Sequence, residues 1–298
     1  MRGHRLVMVR LVMCGLFSTT AALLLFLSPP GSQGYVTLPV DRLSGVDRYG
    51  ALMTQARTAT AYHASLKDGR VDIGGYRLHL VCAGHGSPTV VLEAGWPAGG
   101  DAWAGVAPTI ALQTRVCVYD RAGEGSSDVG PSPRTPLHMV RELHLLLTRA
   151  HVPGPYVLAG HSFGGLLVRL FAVTYPHDVA GLVLVDSSVF DLKGYCPTPF
   201  PLGRERVEGC TADVRRSGFQ PRLLGHKPVV VLAAGMEPSQ AAAQLWQGLQ
   251  HRFTALSTRH LFVVVAQSDH LINLRQPAYV IAAIAHTIGA VRAASPAT

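Results

Sequence analysis

The stretch "GPYVLAGHSFGGLLVRL", residues 154–170, decides how this chain is read. The apolar run Tyr156–Ala159 ends abruptly in Gly160-His161-Ser162-Phe163-Gly164-Gly165, and a helical pattern opens at once. A strand that turns straight into a helix forces its junction residue into a strained backbone conformation and leaves little room for side chains on either flank. Gly160 and Gly164 provide that room, and they lift the Ser162 hydroxyl to the C-terminal edge of the sheet. The start of the helix beneath it presents free N–H groups and a positive dipole end, both suited to an oxygen that becomes negative.

Outward from this turn, apolar strands and amphipathic helices alternate from residue 70 onward. The strand candidates are Arg70–Ile73, Tyr76–Cys82, Thr89–Leu92, Val116–Tyr119, Tyr156–Ala159, Gly181–Val185, Val229–Leu232 and Leu261–Ala266. Several are unbroken Val/Leu runs, as expected of strands covered on both faces in a parallel sheet. Thr135 is placed to cap a helix with Pro136 in its first turn and Leu137, Val140, Leu143, Leu147 and Ala150 on its apolar face. A second helix opens at Phe163 and runs to Tyr175, where Pro176 stops it, and a last one from about Gln276 carries Val280, Ile281, Ile284 and Ile288. This alternation predicts an α/β fold with a mostly parallel central sheet flanked by helices. Residues 187–227 break the rhythm with little regular periodicity, and they are read as a small cap insertion at a strand end.

Composition sets the outer limits. Of 298 residues, 48% are hydrophobic and only 15% charged, which argues for a strongly cored globular body and against disorder. The net charge of +8 is scattered, with no basic run interleaved with aromatics, so a nucleic-acid groove is not expected. Attraction to anionic lipid headgroups fits better. Residues 1–34 have their own layout: Arg2, Arg5 and Arg10 precede the apolar run Leu11–Leu27 and then "SPPGSQG". That is the pattern of an export signal or an uncleaved anchor, its apolar run of about 18 residues lying just short of the full span of about 20. The expectation is a body outside the cytoplasmic membrane, secreted or anchored to its outer face, with 35–69 as a polar connector and 70–298 as the main domain. Of the five cysteines, Cys14 falls in the leader, Cys82 and Cys117 read as buried free thiols in strands, and Cys196 and Cys210 are expected to close a loop by a disulfide.

Four stretches together resemble the α/β-hydrolase superfamily, over about residues 70–292. "TVVLEAGWPAGGDAW" (89–103) is similar to the third strand of that fold and the oxyanion loop after it. "RVCVYDRAGEGSSD" (115–128) is similar to the fourth strand and its glycine turn. "LAGHSFGG" (158–165) resembles the nucleophile elbow, and "VVVAQSDHLINLRQP" (263–277) the last strand and its histidine loop. The resemblance implies a nucleophilic Ser162, which needs a base to take its proton. His270, directly after the last strand, stands where the family keeps that base. His260 lies at the opposite edge of the sheet, and His161, beside the nucleophile, is read as packing. Asp269 precedes His270 where the family commonly has glycine; a carboxylate there raises the histidine's pKa or pairs with an arginine.

The acid that orients the imidazole stands at a strand's C-terminal end, and the family places it after either the sixth or the seventh strand. After the sixth, "GLVLVDSSVFD" (181–191) offers Asp186; after the seventh, "VVVLAAGMEPSQ" (229–240) offers only Glu237. Asp186 gives the order Ser-acid-His of the fold, with Glu237 its main rival and Asp191 a distant third. The oxyanion hole is expected from the backbone N–H groups of Phe163 and Trp96, the latter in Ala94-Gly95-Trp96 where many relatives have His-Gly-x. Asp120 and Arg121 are read as an ion-paired brace for the loops around the site. No spacing suggests a metal site, phosphate loop or dinucleotide fingerprint, so no cofactor is expected. What the resemblance implies is a serine hydrolase acting on a small carboxylic ester through an acyl-enzyme. Amidase or peptidase activity, cofactor-free perhydrolysis on the same site, and a non-catalytic binding protein of the same fold remain open.

Overall fold

The computed structural model describes residues 67–189 and 220–294. Eight strands form one sheet: β1 (Lys67–Asp72), β2 (Arg77–Ala83), β3 (Thr89–Glu93), β4 (Val116–Tyr119), β5 (Tyr156–His161), β6 (Val179–Val185), β7 (Val229–Ala234) and β8 (His260–Val265). Their spatial order is β1-β2-β4-β3-β5-β6-β7-β8. β2 pairs antiparallel with β1 and β4, and every other pairing is parallel. All eight strands expected from the apolar runs are present, with ends shifted by a few residues; β1 opens at Lys67, inside the segment read as connector.

The helices follow the same logic. We number them α1 (Ala107–Ala111), α2 (Pro136–Arg149), α3 (Phe163–Thr174), α4 (Gln240–His251), α5 (Ile272–Arg275) and α6 (Pro277–Ala294). Thr135 caps α2, its hydroxyl accepting the His138 N–H at 3.1 Å, a bond worth about 1 kcal/mol to a helix end. Side chains along a strand alternate between faces, and here both faces are covered. Tyr156 and Leu158 of β5, Leu182 and Leu184 of β6 and Val229 and Val231 of β7 pack in one core with residues of α2 and α3. Val157, Ala159, Val183, Val185, Val230 and Leu232 point the other way, into a core with α1, α5 and α6. The apolar runs therefore lack polar alternation because neither face of the sheet meets water. α6 is long and apolar enough to cross a membrane, yet Val280, Ile281, Ile284 and Ile288 are buried in that second core.

The reading of two cysteines is corrected. Cys82 and Cys117 are bonded to each other. In the sequence they lie 35 residues apart in separate strands, but β4 crosses over to lie beside β2, and Cys82 faces Cys117 in register with Cα atoms 4.1 Å apart. Directly opposed antiparallel residues come close enough for this bridge. Cys196 and Cys210, Asp191 and most of the expected cap lie outside the described residues.

Candidate active site

β5 runs into α3 with Ser162 as the only junction residue, at φ 52° and ψ −119°. A non-glycine residue there is strained by about 1–3 kcal/mol and persists only when its surroundings over-determine it. They do. The Ser162 N–H donates to the Val185 carbonyl at 3.0 Å, and its own carbonyl accepts from Gly165 and Ser188, each at 2.9 Å. The flanking glycines are required by close approach: a Cβ at Gly160 would lie 2.4 Å from the Gly164 carbonyl oxygen, and one at Gly164 2.3 Å from that of Glu93.

The register of β5 with β6 pairs His161 with Val185, so the next residues, Ser162 and Asp186, leave the sheet side by side. Asp186 is 1% exposed and also has positive φ, 43°. Its Oδ1 accepts the Ala234 N–H at 2.8 Å and the Trp246 indole N–H at 2.7 Å. Its Oδ2 accepts from His270 Nδ1 at 2.6 Å. An ionised carboxylate only accepts, so Nδ1 carries the proton and Nε2 of the neutral ring keeps its lone pair. The hydrogen bond from Asp186 is the main cause that raises the His270 pKa above the ordinary value; burial opposes it, and the charges of Asp186, Asp269 and Glu237 add to the rise. Asp269 also pairs with Arg275 at 3.1 Å. Of the carboxylates weighed for this role, Asp186 holds the imidazole, while Glu237 acts on it only through its charge.

His161 does more than pack. Its Nε2–H donates to the His270 carbonyl at 2.8 Å, and its ring centroid lies 4.8 Å from that of His270. On the other side, a Cβ at Gly95 would meet His161 Nδ1 at 2.7 Å and Ser162 Cβ at 3.2 Å. Gly95, Ser162, His161 and His270 thus form one contiguous cluster at the C-terminal ends of the strands, where open α/β sheets bind ligands. His260 sits at the start of β8, the far edge.

The loop after β3 is held by Arg121, itself buried. Its guanidinium donates to the carbonyls of Ala94 (2.7 Å), Gly95 (2.9 Å) and Ala98 (3.1 Å), and pairs with Glu93 (2.6 Å) and Glu124 (2.8 Å). In a trans peptide the C=O and the following N–H point in opposite directions. Anchoring the Gly95 carbonyl on Arg121 therefore turns the Trp96 N–H away from the guanidinium. The Trp96 ring packs edge-on against Phe163, centroids 5.9 Å apart, and Arg121 lies over the other ring at 5.8 Å. Asp120 ties the adjoining turns: it accepts from Gly100 N (2.8 Å), Ser126 N (2.9 Å) and His79 Nδ1 (2.9 Å). The brace expected of these two residues is present. Among the described residues no group of three or more His, Cys, Asp or Glu is placed to hold a metal ion.

Trp246 was not legible as part of this site. It stands on α4, and its position beside Asp186 follows only from the packing of α4 against β7. Ser239 and the helical spacing of Ala242, Leu245, Trp246 and Leu249 mark the helix, but not the aspartate that its tryptophan meets.

Comparison with known proteins agrees with this architecture. A family model described as the alpha/beta hydrolase fold matches residues 88–209. The uncharacterized protein YqjL of Bacillus subtilis is 30% identical over 204 residues, covering 65% of this chain and 81% of that protein. A soluble epoxide hydrolase of a Corynebacterium species is 35% identical over 135 residues, 44% of this chain and 45% of that protein. A solved thermophilic esterase from Thermogutta terrifontis superposes with a TM-score of 0.56 at 20% identity, covering 76% of this chain and 99% of that structure. The chain belongs to the α/β-hydrolase superfamily, and it is a hydrolase of that fold.

Proposed function

We propose that this chain is a serine hydrolase that cleaves a carboxylic ester through an acyl-enzyme. In this reading His270 Nε2 takes the Ser162 proton as Oγ attacks the ester carbonyl carbon. The N–H groups of Phe163 and Trp96 hold the oxygen that becomes negative, and the alcohol leaves with the proton from His270. Water then gives its proton to His270 and attacks the acyl carbon, which releases the acid and restores Ser162. Asp186 keeps the imidazole in the required tautomer throughout. The observation that carries the reading is the bond from His270 Nδ1 to Asp186 at 2.6 Å, which leaves Nε2 as a base at the strand edge that also carries Ser162. An epoxide-opening route by an alkyl-enzyme needs a carboxylate as nucleophile, and the elbow holds a serine.

The site is expected to lie outside the cytoplasmic membrane. Two features support that compartment: the basic-then-apolar layout of residues 1–34, and the Cys82–Cys117 bond, a cross-link that persists in oxidising surroundings.

The test is hydrolysis of p-nitrophenyl esters of graded acyl length, run beside a p-nitroanilide, a peracid assay and an aryl epoxide. Ester turnover that disappears in Ser162→Ala is the expected result. Ester turnover retained by Ser162→Ala, or an epoxide or amide processed while esters are left intact, overturns it.

A further inference from the structure

We propose that Trp246 and Gln250, one turn apart on α4, are positioning residues that hold the acid-bearing turn Asp186–Ser188 in its working conformation. The inference rests on the hydrolase reading of Ser162, Asp186 and His270. The turn needs holding: Asp186 sits at φ 43°, a conformation an L-residue keeps only under constraint.

Three consecutive residues of this turn each receive a side chain from another element. Asp186 Oδ1 accepts the Trp246 indole N–H at 2.7 Å. The Ser187 carbonyl accepts Gln250 Nε2 at 2.6 Å. The Ser188 carbonyl accepts Arg169 Nη2 at 2.7 Å, and the Arg169 guanidinium lies 4.1 Å over the Phe253 ring. The same turn reaches the nucleophile, because Ser188 N–H donates to the Ser162 carbonyl at 2.9 Å. On α4 itself, Gln250 is the only fully buried residue. Leu245 of the same helix is exposed, so α4 turns Trp246 and Gln250, four positions apart on one face, toward this turn. Ser239 caps the start of α4, its Oγ accepting the Ala242 N–H at 3.1 Å.

The indole does two things for His270. Together with the Ala234 N–H on the same oxygen, it holds Oδ1 and leaves Oδ2 aimed at Nδ1. It also takes up part of the carboxylate's charge through a charge-assisted hydrogen bond. Without that donor the charge falls more fully on the imidazole, so the base becomes harder to deprotonate.

Trp246→Phe removes the donor and keeps most of the ring volume. The expected result is a kcat for a short p-nitrophenyl ester lower by about tenfold, the loss of one hydrogen bond to a charged group, with KM nearly unchanged. The acidic limb of kcat/KM moves to higher pH, and the downfield proton resonance of the His270 Nδ1–H···Asp186 bond shifts. Gln250→Met keeps Trp246 and is the second variant; it is expected to lower kcat and shift the same resonance. Folding of each variant is checked by circular dichroism. A folded Trp246→Phe or Gln250→Met protein with wild-type kcat, pH limb and resonance overturns the proposal. So does a variant that lowers only Tm. Because the resonance is read without turnover, loss of the hydrolase reading, seen as full activity in Ser162→Ala, is distinguishable from loss of this one.

Discussion

His161 donates its Nε2–H to the main-chain carbonyl of His270 across 2.8 Å, so the residue before the nucleophile fixes the loop that carries the base. Burial, the largest cause, lowers the His161 pKa to about 4; the His270 carbonyl opposes that fall, and the charge of His270 reinforces it. The imidazole is therefore neutral at ordinary pH, with its one N–H donated to the His270 carbonyl.

A buried histidine with a depressed pKa makes the unfolded chain bind more protons between the two values. Its contribution to stability is present above the unfolded value of about 6.5 and is lost as pH falls towards 4, on the order of 3 kcal/mol in all. His161→Gln, which keeps a donor for the His270 carbonyl but does not titrate, is expected to flatten the fall of stability across that window. Urea unfolding of both proteins at a series of pH values measures the difference; parallel curves contradict it.

The base itself shifts the other way. The Asp186 hydrogen bond raises the His270 pKa, and a general base works only when neutral, so the acidic limb of kcat/KM is expected above about 6.5, the unperturbed imidazole value. Asp269→Asn removes one of the charges behind the rise and is expected to move the limb down by a fraction of a pH unit. Asp186→Asn is expected to cost about 10³–10⁴ in kcat by favouring the wrong tautomer. Glu237→Gln, which lacks contact with the ring, is expected to leave kcat within a few-fold. Stopped-rate pH profiles of the three variants decide the matter.

Arg121 is a structural keystone of the loop after β3. Burial pushes the Glu93 carboxyl up, and the Arg121 charge with hydrogen bonds from Tyr119 and Arg121 pulls it back. Arg121→Met leaves Glu93 buried without its cation and frees three loop carbonyls, an expected loss of about 3–5 kcal/mol. The double variant Arg121→Met/Glu93→Leu is expected to recover part of that stability while ester turnover stays low, because the Ala94–Ala98 loop is still unanchored. Denaturation and kinetics on the pair separate the two effects.

How much of this was legible beforehand differs by element. The inner strands could be found because a strand covered on both faces is an unbroken apolar run with polar breaks at each end, as in Val229–Leu232. The elbow at Ser162 could be found because glycine spacing reports a local crowding. The Cys82–Cys117 bond could not, since it depends on β4 crossing to lie beside β2, a fact of sheet order that neither strand encodes alone. Helix α4 differs: Ala242, Leu245, Trp246 and Leu249 stand at helical spacing, but its buried residue is a glutamine and its tryptophan meets an aspartate sixty positions earlier, contacts that periodicity does not encode.

The disulfide carries its own prediction. Closing a loop of 35 residues restricts the unfolded chain by about 4 kcal/mol in the chain-entropy account. Cys82→Ala/Cys117→Ala is expected to lose about 2–4 kcal/mol and to keep ester turnover, because the bridge lies in β2 and β4, away from Ser162 and His270. Urea unfolding of the double variant, with turnover measured at a temperature where it is folded, tests both halves; a stable but inactive variant contradicts the separation.

The chemistry stands or falls on the reactivity of a single hydroxyl. Intact-protein mass spectrometry after treatment with a fluorophosphonate reads it directly. One phosphonyl adduct is expected, located at Ser162 by peptide mapping, forming faster as pH rises through the His270 pKa and absent in Ser162→Ala. A folded wild-type protein that takes up no adduct, or carries it at another residue, contradicts the account.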